Sequence, residues 1–257
     1  MNSSLSKTLL TILDDRKRTE WALGLGIPKA TNSNMFNKGI YPSDKHLRRI
    51  MLAENASMSA LWGASSAPFM IHRTSSAHET YATLEAHLDD HNWDIHVITG
   101  DEFPVFVLST LAMQEIDNQE FKYTHIEVIC GPVDHTVANL FRNKSVKHKQ
   151  LPENEAHLLA TGYKGTYFLF GKETLLDAKE IDQVEVNRIC REPSERNAAL
   201  LKRVMEILDE TVIQEGIEVN AQERRKLVSE LYTYAIEEGL LSEDVSPNLA
   251  HSMLRVI

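Results

Sequence analysis

The stretch that most constrains this chain is Arg18 to Asn37, RTEWALGLGIPKATNSNMFN. It reads as two short helices joined by a tight turn. Trp21 and Ala22 place an apolar and a small residue where the helices must approach. Gly26 supplies a turn position free to take positive φ. Leu25 and Ile27 flank the turn as apolar pins, and Met35 continues that face. Pro28 falls in the first turn of the second helix, where its missing N–H has no intrahelical partner to lose. Asn32 departs from this pattern, because it takes an inward-facing position where a β-branched aliphatic is usual.

Helical spacing extends the pattern on both sides. Leu5, Leu9, Ile12 and Leu13 predict a first helix over about 6–15. Asn37-Lys38-Gly39 reads as a helix stop with Gly39 in the left-handed cap. Ser43 is expected to open a fourth helix carrying Leu47, Ile50, Met51 and Leu52, and a short fifth helix runs from Ala56 to Trp62, ending at Gly63. Charge separates this region from the rest. The whole chain of 257 residues has 27 Lys and Arg against 37 Asp and Glu, a net −10. Residues 1–63 hold nine basic against five acidic residues, a local excess of +4, which leaves −14 for the remainder. A basic head on an acidic body suits a region that meets phosphates, joined to one that does not.

Two helices joined this way are the form that lays one helix into the major groove of double-stranded DNA. On that reading Lys29, Thr31, Ser33, Asn34 and Asn37 of the second helix face base edges, since Asn bonds adenine bidentately and Ser or Thr bonds base edges or phosphate. Arg18, Lys38, Lys45, Arg48 and Arg49 are expected on the DNA backbone.

Beyond residue 63 the composition changes. Residues 64–76, rich in Ser and Ala with Pro68 among them, read as a linker. A helix over about 79–90 follows, and then the period turns to that of strands. Ile95 and Val97 alternate with His96, Phe103 to Leu108 form a second β-rich run, and Ile126, Val128 and Ile129 mark a third. Thr166 to Phe170 read as a fourth. Helices are expected at 136–142 and 153–160. Arg142, Lys144, Lys147, His148 and Lys149 form a basic cluster, read as a solvated loop. From Ser194 the chain is helical, with Leu200, Leu201, Val204, Ile207, Leu208 and Val212 on one face. Gly216 ends that helix and Asn220 caps the next. Gly239 ends the second, and Ser246-Pro247 opens a third with Leu249, Met253 and Leu254. The expected organisation is therefore multidomain: an all-α helix-turn-helix domain over 1–63, a linker over 64–76, an α+β regulatory or dimerisation domain over 77–190, and a helical oligomerisation region over 191–257.

These residues resemble the N-terminal domain of bacteriophage CI-type repressors. The likeness rests on Trp21-Ala22, Leu25-Gly26-Ile27, the run after Pro28, and the closing Ser57-Met58-Ser59-Ala60-Leu61-Trp62-Gly63. That last run matches the family's ending with Leu and Trp exchanged. The helices from about Leu200 to Ala235 are similar to the tail of prophage-type regulators. The resemblance implies a cytoplasmic repressor that binds a palindromic operator as a homodimer or higher homo-oligomer and answers to an inducer or an antirepressor protein. Many such repressors cleave themselves at an Ala-Gly bond, and this chain has no Ala-Gly dipeptide. Induction is expected to work without self-cleavage.

No catalytic constellation stands out, and no enzymatic activity or cofactor is expected. There is no G-x-S-x-G, and Gly171-Lys172 lacks the upstream glycine of a phosphate-binding loop. His87, His91 and His96 lack the fixed frame of a metal site and read as exposed histidines. Cys130 and Cys190 are distant thiols with neither disulfide nor zinc spacing. No apolar run reaches the roughly 18 residues of a membrane span. Two other readings compete: a protein-interaction adaptor with a helical partner-binding head, and a small-molecule sensor.

Overall fold

The computed structural model describes residues 4–89, 92–216, 219–237, 245–247 and 251. The chain divides into two compact units, residues 1–190 and 191–257. The first is a mixed α and β structure around a six-stranded mixed sheet.

The first unit begins with helices α1 (Ser4–Leu13), α2 (Arg18–Gly24), α3 (Lys29–Ser33), α4 (Asp44–Glu54) and α5 (Met58–Leu61), with α3 continuing into a π-helical turn, Asn34–Lys38. Leu5, Leu9, Ile12, Trp21, Leu25, Ile27, Met35, Leu47, Ile50 and Leu61 form their shared core. The polar key of this core is Glu54, only 4% exposed. Its carboxylate takes both ends of the Arg16 guanidinium, at 2.7 and 2.9 Å, and accepts the indole N–H of Trp21 at 2.8 Å. Arg16 also donates to the carbonyls of Ile12 and Leu13, so it caps α1 and ties that helix to α2 and α4.

Residues 64–76 carry structure of their own. Phe69 is buried in the helical core and bridges Ala56. Ser57 N–H donates to Pro68, Met70 N–H to Asn55, and Phe69 N–H to Gly162. The segment ends in β1 (His72–Arg73), which pairs in parallel with the Ile129–Cys130 backbone. Phe69 gives this Ser- and Ala-rich stretch something to bury, with Ile71 half-buried and Met70 left exposed.

The sheet adds β2 (Asp94–Thr99), β3 (Val105–Ile116), β4 (Gln119–Cys130), β5 (Val146–Gln150) and β6 (Lys179–Ile181), in the order β1-β4-β3-β2-β5-β6. Alternation along the strands fills two cores. Phe106, Leu108, Ile95, Val97 and Ile129 face α6 (Ala77–Leu88), α7 (His135–Asn139) and the start of α9 (Gln183–Glu215). Val105, Val107, Ile126 and Val128 face α8 (Glu153–Ala160) and the segment around Leu169. β3 and β4 form a long hairpin whose turn, Asp117-Asn118, has both residues in the left-handed region, at φ 56° and 57°. A two-residue turn of that hand matches strand twist.

Two expectations are corrected here. Residues 166–170 do not form a strand; Tyr167–Gly171 is a π-helical turn, and Gly171 is needed because a Cβ there would meet the Tyr167 ring at 2.1 Å. The basic cluster around 142–149 is not a loop throughout. Val146–Gln150 is β5, parallel to β2, and its lysines are paired: Lys147 with Asp94 at 2.9 Å, and Lys149 with Asp177. Only Val146 of that strand is fully buried, so its sequence carries little apolar signal.

In the second unit α9 packs on α10 (Ala221–Glu237) through Leu200, Val204, Ile207, Leu231 and Ala235. The backbone of α9 is helical over 33 residues. Asn220 Oδ1 accepts the N–H groups of Gln222 and Glu223, and Glu223 returns a bond to Asn220 N–H, a capping box. Arg224 pairs bidentately with Asp209 across the hairpin. The expected stop at Gly239 and the residues Leu249, Met253 and Leu254 lie outside the described residues. Among the described residues no helix is long and apolar enough to cross a membrane.

Burial holds three histidines of the first unit neutral. His46 is lowered below 6.5 by burial and by Lys45 and Arg49; His96 and His148 are lowered mainly by burial. A depressed folded pKa means that the unfolded chain protonates first. Stability is therefore complete above about pH 6.5 and is lost as the pH falls toward the folded values. His72, which Glu127 holds above 6.5, works in the opposite sense, and three groups against one leave a net drop in melting temperature expected between pH 7.5 and 5.5; a rise would contradict this assignment.

Candidate nucleic-acid interface

The candidate interface is assembled by α2, its turn, and α3 with the following π-turn. Gly26 has φ 64°, and Ile27 N–H returns to Ala22 at 2.8 Å, which closes the turn tightly. Trp21, Ala22, Leu25, Ile27 and Met35 are all buried, so the apolar pins face inward. The second helix widens into the π-turn at Asn34. It ends at Gly39 with φ 63°, where Ile40 N–H bonds Asn34. Widened turns of this kind are frequent at functional sites.

Asn32 is buried, at 3% exposure. Its Nδ2 donates at 3.4 Å to the Arg18 carbonyl, so it ties α3 to the first turn of α2, while Oδ1 has no partner among the described residues. A buried acceptor left unpaired costs about 1–3 kcal/mol. Asn32→Val is therefore expected to raise stability by about 1 kcal/mol in chemical denaturation; a loss of stability would mean that the tether outweighs the orphaned oxygen.

The outward face of the second helix is polar. Arg18 lies 5.1 Å over the Phe36 ring and donates to Asn37 Oδ1 at 3.0 Å, and Asn37 Nδ2 donates to Ser33 Oγ at 3.1 Å. Arg18, Ser33 and Asn37 thus form one linked surface chain. Lys29 is exposed, Thr31 and Asn34 are half-buried, and Lys38 and Arg48 are exposed. Lys29, Lys38 and Arg48 make no ion pair among the described residues, so their charges remain available to an anion.

Lys45 and Arg49 are engaged elsewhere. Lys45 pairs with Asp117 at 2.8 Å. Arg49 donates to Leu25 O and Gln119 Oε1 and lies 5.5 Å over Phe121. The tip of the β3–β4 hairpin therefore holds α4. On the opposite side Lys172 pairs with Asp14 and Asp15 at 3.0 Å, and Tyr167 donates to Asp15 at 2.9 Å. These partners hold Asp15 below the usual carboxylate range, Lys172 first.

Of the three histidines read as exposed, His96 is buried in β2, His91 lies outside the described residues, and His87 stands at the end of α6 beside His72. Cys130 and Cys190 are buried, and burial pushes both thiols up to about 12, which leaves them unreactive. Comparison of the chain with protein-family models, curated proteins and solved structures finds no match.

Proposed function

We propose that this chain is a sequence-specific DNA-binding transcriptional regulator, similar in kind to CI-type phage repressors and without enzymatic activity. The reading rests on one observation. Lys29 and Asn37 are exposed on the second helix with Ser33 half-buried between them, and Lys29, Lys38 and Arg48 make no ion pair among the described residues, on a net-basic helical region of an acidic chain. In the proposed complex Lys29, Thr31, Ser33, Asn34 and Asn37 read base edges, while Arg18, Lys38 and Arg48 take phosphates. Lys45 and Arg49 join only by releasing the hairpin. The α9–α10 hairpin, with Leu201, Met205 and Ile213 exposed, is the proposed homodimer surface that sets half-site spacing. The regulator acts in the cytoplasm and answers to an inducer or antirepressor without self-cleavage.

Fluorescence anisotropy with DNA from the region upstream of its own coding sequence tests this. Log affinity should fall linearly with log salt, and Arg48→Ala should reduce the slope by about 1. Lys29→Ala with Asn34→Ala should abolish preference over scrambled DNA while circular dichroism stays unchanged. No binding at low salt would overturn the reading.

A protein-binding head is the second reading. It is favoured by the Tyr41–Trp62 stack, centroids 4.7 Å apart, with Trp62 57% exposed. Trp62→Ala leaving DNA affinity intact but abolishing capture of a protein partner would separate the two.

A further inference from the structure

Four side chains from three segments distant in sequence converge on the α6 face of the sheet, beside its β1 edge. His125 and Glu127 are two residues apart on β4 and so share a face. His72 comes from β1, whose parallel pairing sets it opposite Ile129. His87 comes from the last turn of α6. His72 Nε2 donates to Glu127 Oε2 at 2.9 Å, and the His72 and His87 rings lie 5.1 Å apart. One ligand atom from each of His72, His87 and Glu127 falls within 4.8 Å of the other two. His125 Nε2 stands 3.4 Å from the other carboxylate oxygen, and the Glu127 side chain is 12% exposed.

We propose that His72, His87 and Glu127 bind a divalent transition-metal ion of the zinc class, with His125 orienting the carboxylate from behind. The donor set selects the ion. Two imidazoles and one carboxylate suit Zn²⁺, Co²⁺ or Ni²⁺, whereas Ca²⁺ and Mg²⁺ call for a shell of oxygens. Bonds of about 2.0–2.2 Å to a tetrahedral ion place neighbouring donors about 3.3–3.5 Å apart. The His72–Glu127 pair already stands inside that distance, and His87, whose ligand atom lies within 4.8 Å of the other two, closes the remainder by rotamer adjustment. The ion takes the place of the His72–Glu127 hydrogen bond.

The surroundings have the character of a supporting shell. His125 holds one carboxylate oxygen while the other faces the imidazoles, the arrangement that fixes a ligating carboxylate. Trp93 lies 5.4 Å from the His125 ring, and its indole N–H bonds the backbone carbonyl of His87 at 2.7 Å, which anchors the end of α6 at the site. Three protein ligands leave one position of a tetrahedral ion open to water or an exogenous ligand. The site stands whether or not the helical region meets DNA.

Isothermal titration of the chelator-treated full chain with Zn²⁺, with Co²⁺ absorption as a second readout, tests the proposal. About one ion per chain is expected, with the intense visible bands of a tetrahedral Co²⁺ site. At free Zn²⁺ of 100 times Kd, the apparent folding constant should rise about 100-fold, seen as a higher melting temperature. His87→Asn and Glu127→Gln should abolish the site with the circular dichroism unchanged. His125→Ala should weaken it about 10–100-fold. His157→Ala, at an exposed histidine away from the cluster, should leave it intact. Absence of saturable Zn²⁺ and Co²⁺ binding would overturn the proposal. So would binding that survives His87→Asn and Glu127→Gln, or equal binding of Ca²⁺.

Discussion

Replacing Glu54 with alanine is expected to destabilise the first unit by about 2–3 kcal/mol, because it strands a half-buried cation and a buried donor together. Arg16, whose side chain is 18% exposed, would keep its bonds to the end of α1 but lose its only counter-charge among the described residues. Trp21 N–H, buried against the same carboxylate, would be left unpaired. Glu54→Gln should cost less, since the amide oxygen still accepts one of these donors while the charge is lost. Urea denaturation followed by Trp fluorescence reads both variants, with Trp21 itself as reporter. An alanine variant within 1 kcal/mol of the parent, as an order of magnitude, would mean that Arg16 finds water or another acceptor on α1. The double variant Glu54→Leu with Arg16→Met should recover much of the loss, because removing both partners of a buried pair is far cheaper than removing one.

Gly100→Ala is the second large effect expected. Gly100 has φ 133°, a region that L-residues scarcely visit, so any side chain is strained there before packing is considered. Packing compounds the strain. A Cβ at Gly100 would sit 2.3 Å from the Leu151 carbonyl oxygen and 3.2 Å from Ala156 Cβ. Backbone cannot rotate aside as a side chain does, and Leu151 N–H is itself held by Thr99 O at 2.9 Å. Relief requires the β5–α8 corner to move off the end of β2, opening the core that Ile98, Leu151 and Ala156 share. A loss of about 3 kcal/mol or more is expected, measured as a shift in denaturation midpoint. By contrast Gly26→Ala, where the Cβ would meet only the flexible end of Arg49 at 2.4 Å, should cost about 1–2 kcal/mol from its left-handed backbone and the displaced guanidinium.

What the sequence made legible, it did through local physics. Gly26 and Gly39 punctuate the helices where positive φ is required, and both positions have it. Leu5, Leu9 and Ile12 repeat at helical spacing and are buried. The helix expected over 153–160 is there, from Glu153 to Ala160. The rest depended on partners far along the chain. β5 reads VKHKQ and looks like a charged loop, and only β2 and Asp94 and Asp177 turn it into a strand. Tyr167–Gly171 has the residues of a strand but curls where the Tyr167 ring packs on Gly171. Arg49 carries the same charge as Arg48, yet Gln119 and Phe121, some 70 residues on, occupy it. The His72–Glu127 pair was invisible for the same reason, since only the parallel pairing of a two-residue strand unites them. Local sequence records backbone preference and burial period; it does not record which distant surface will claim a given side chain.

The β3–β4 hairpin carries a mechanical implication. Its base lies in the middle of the sheet, and Glu127 stands on that base. Its tip, at Asp117 and Gln119, grips α4 through Lys45 and Arg49. Eight residues separate Glu127 from Gln119, a reach of about 27 Å at strand rise. An unbroken register from Val105–Cys130 to Ile116–Gln119 joins the base to the tip. A tilt of a few degrees at Glu127 would sweep the tip by about 2 Å, and α4, held there, would travel with it.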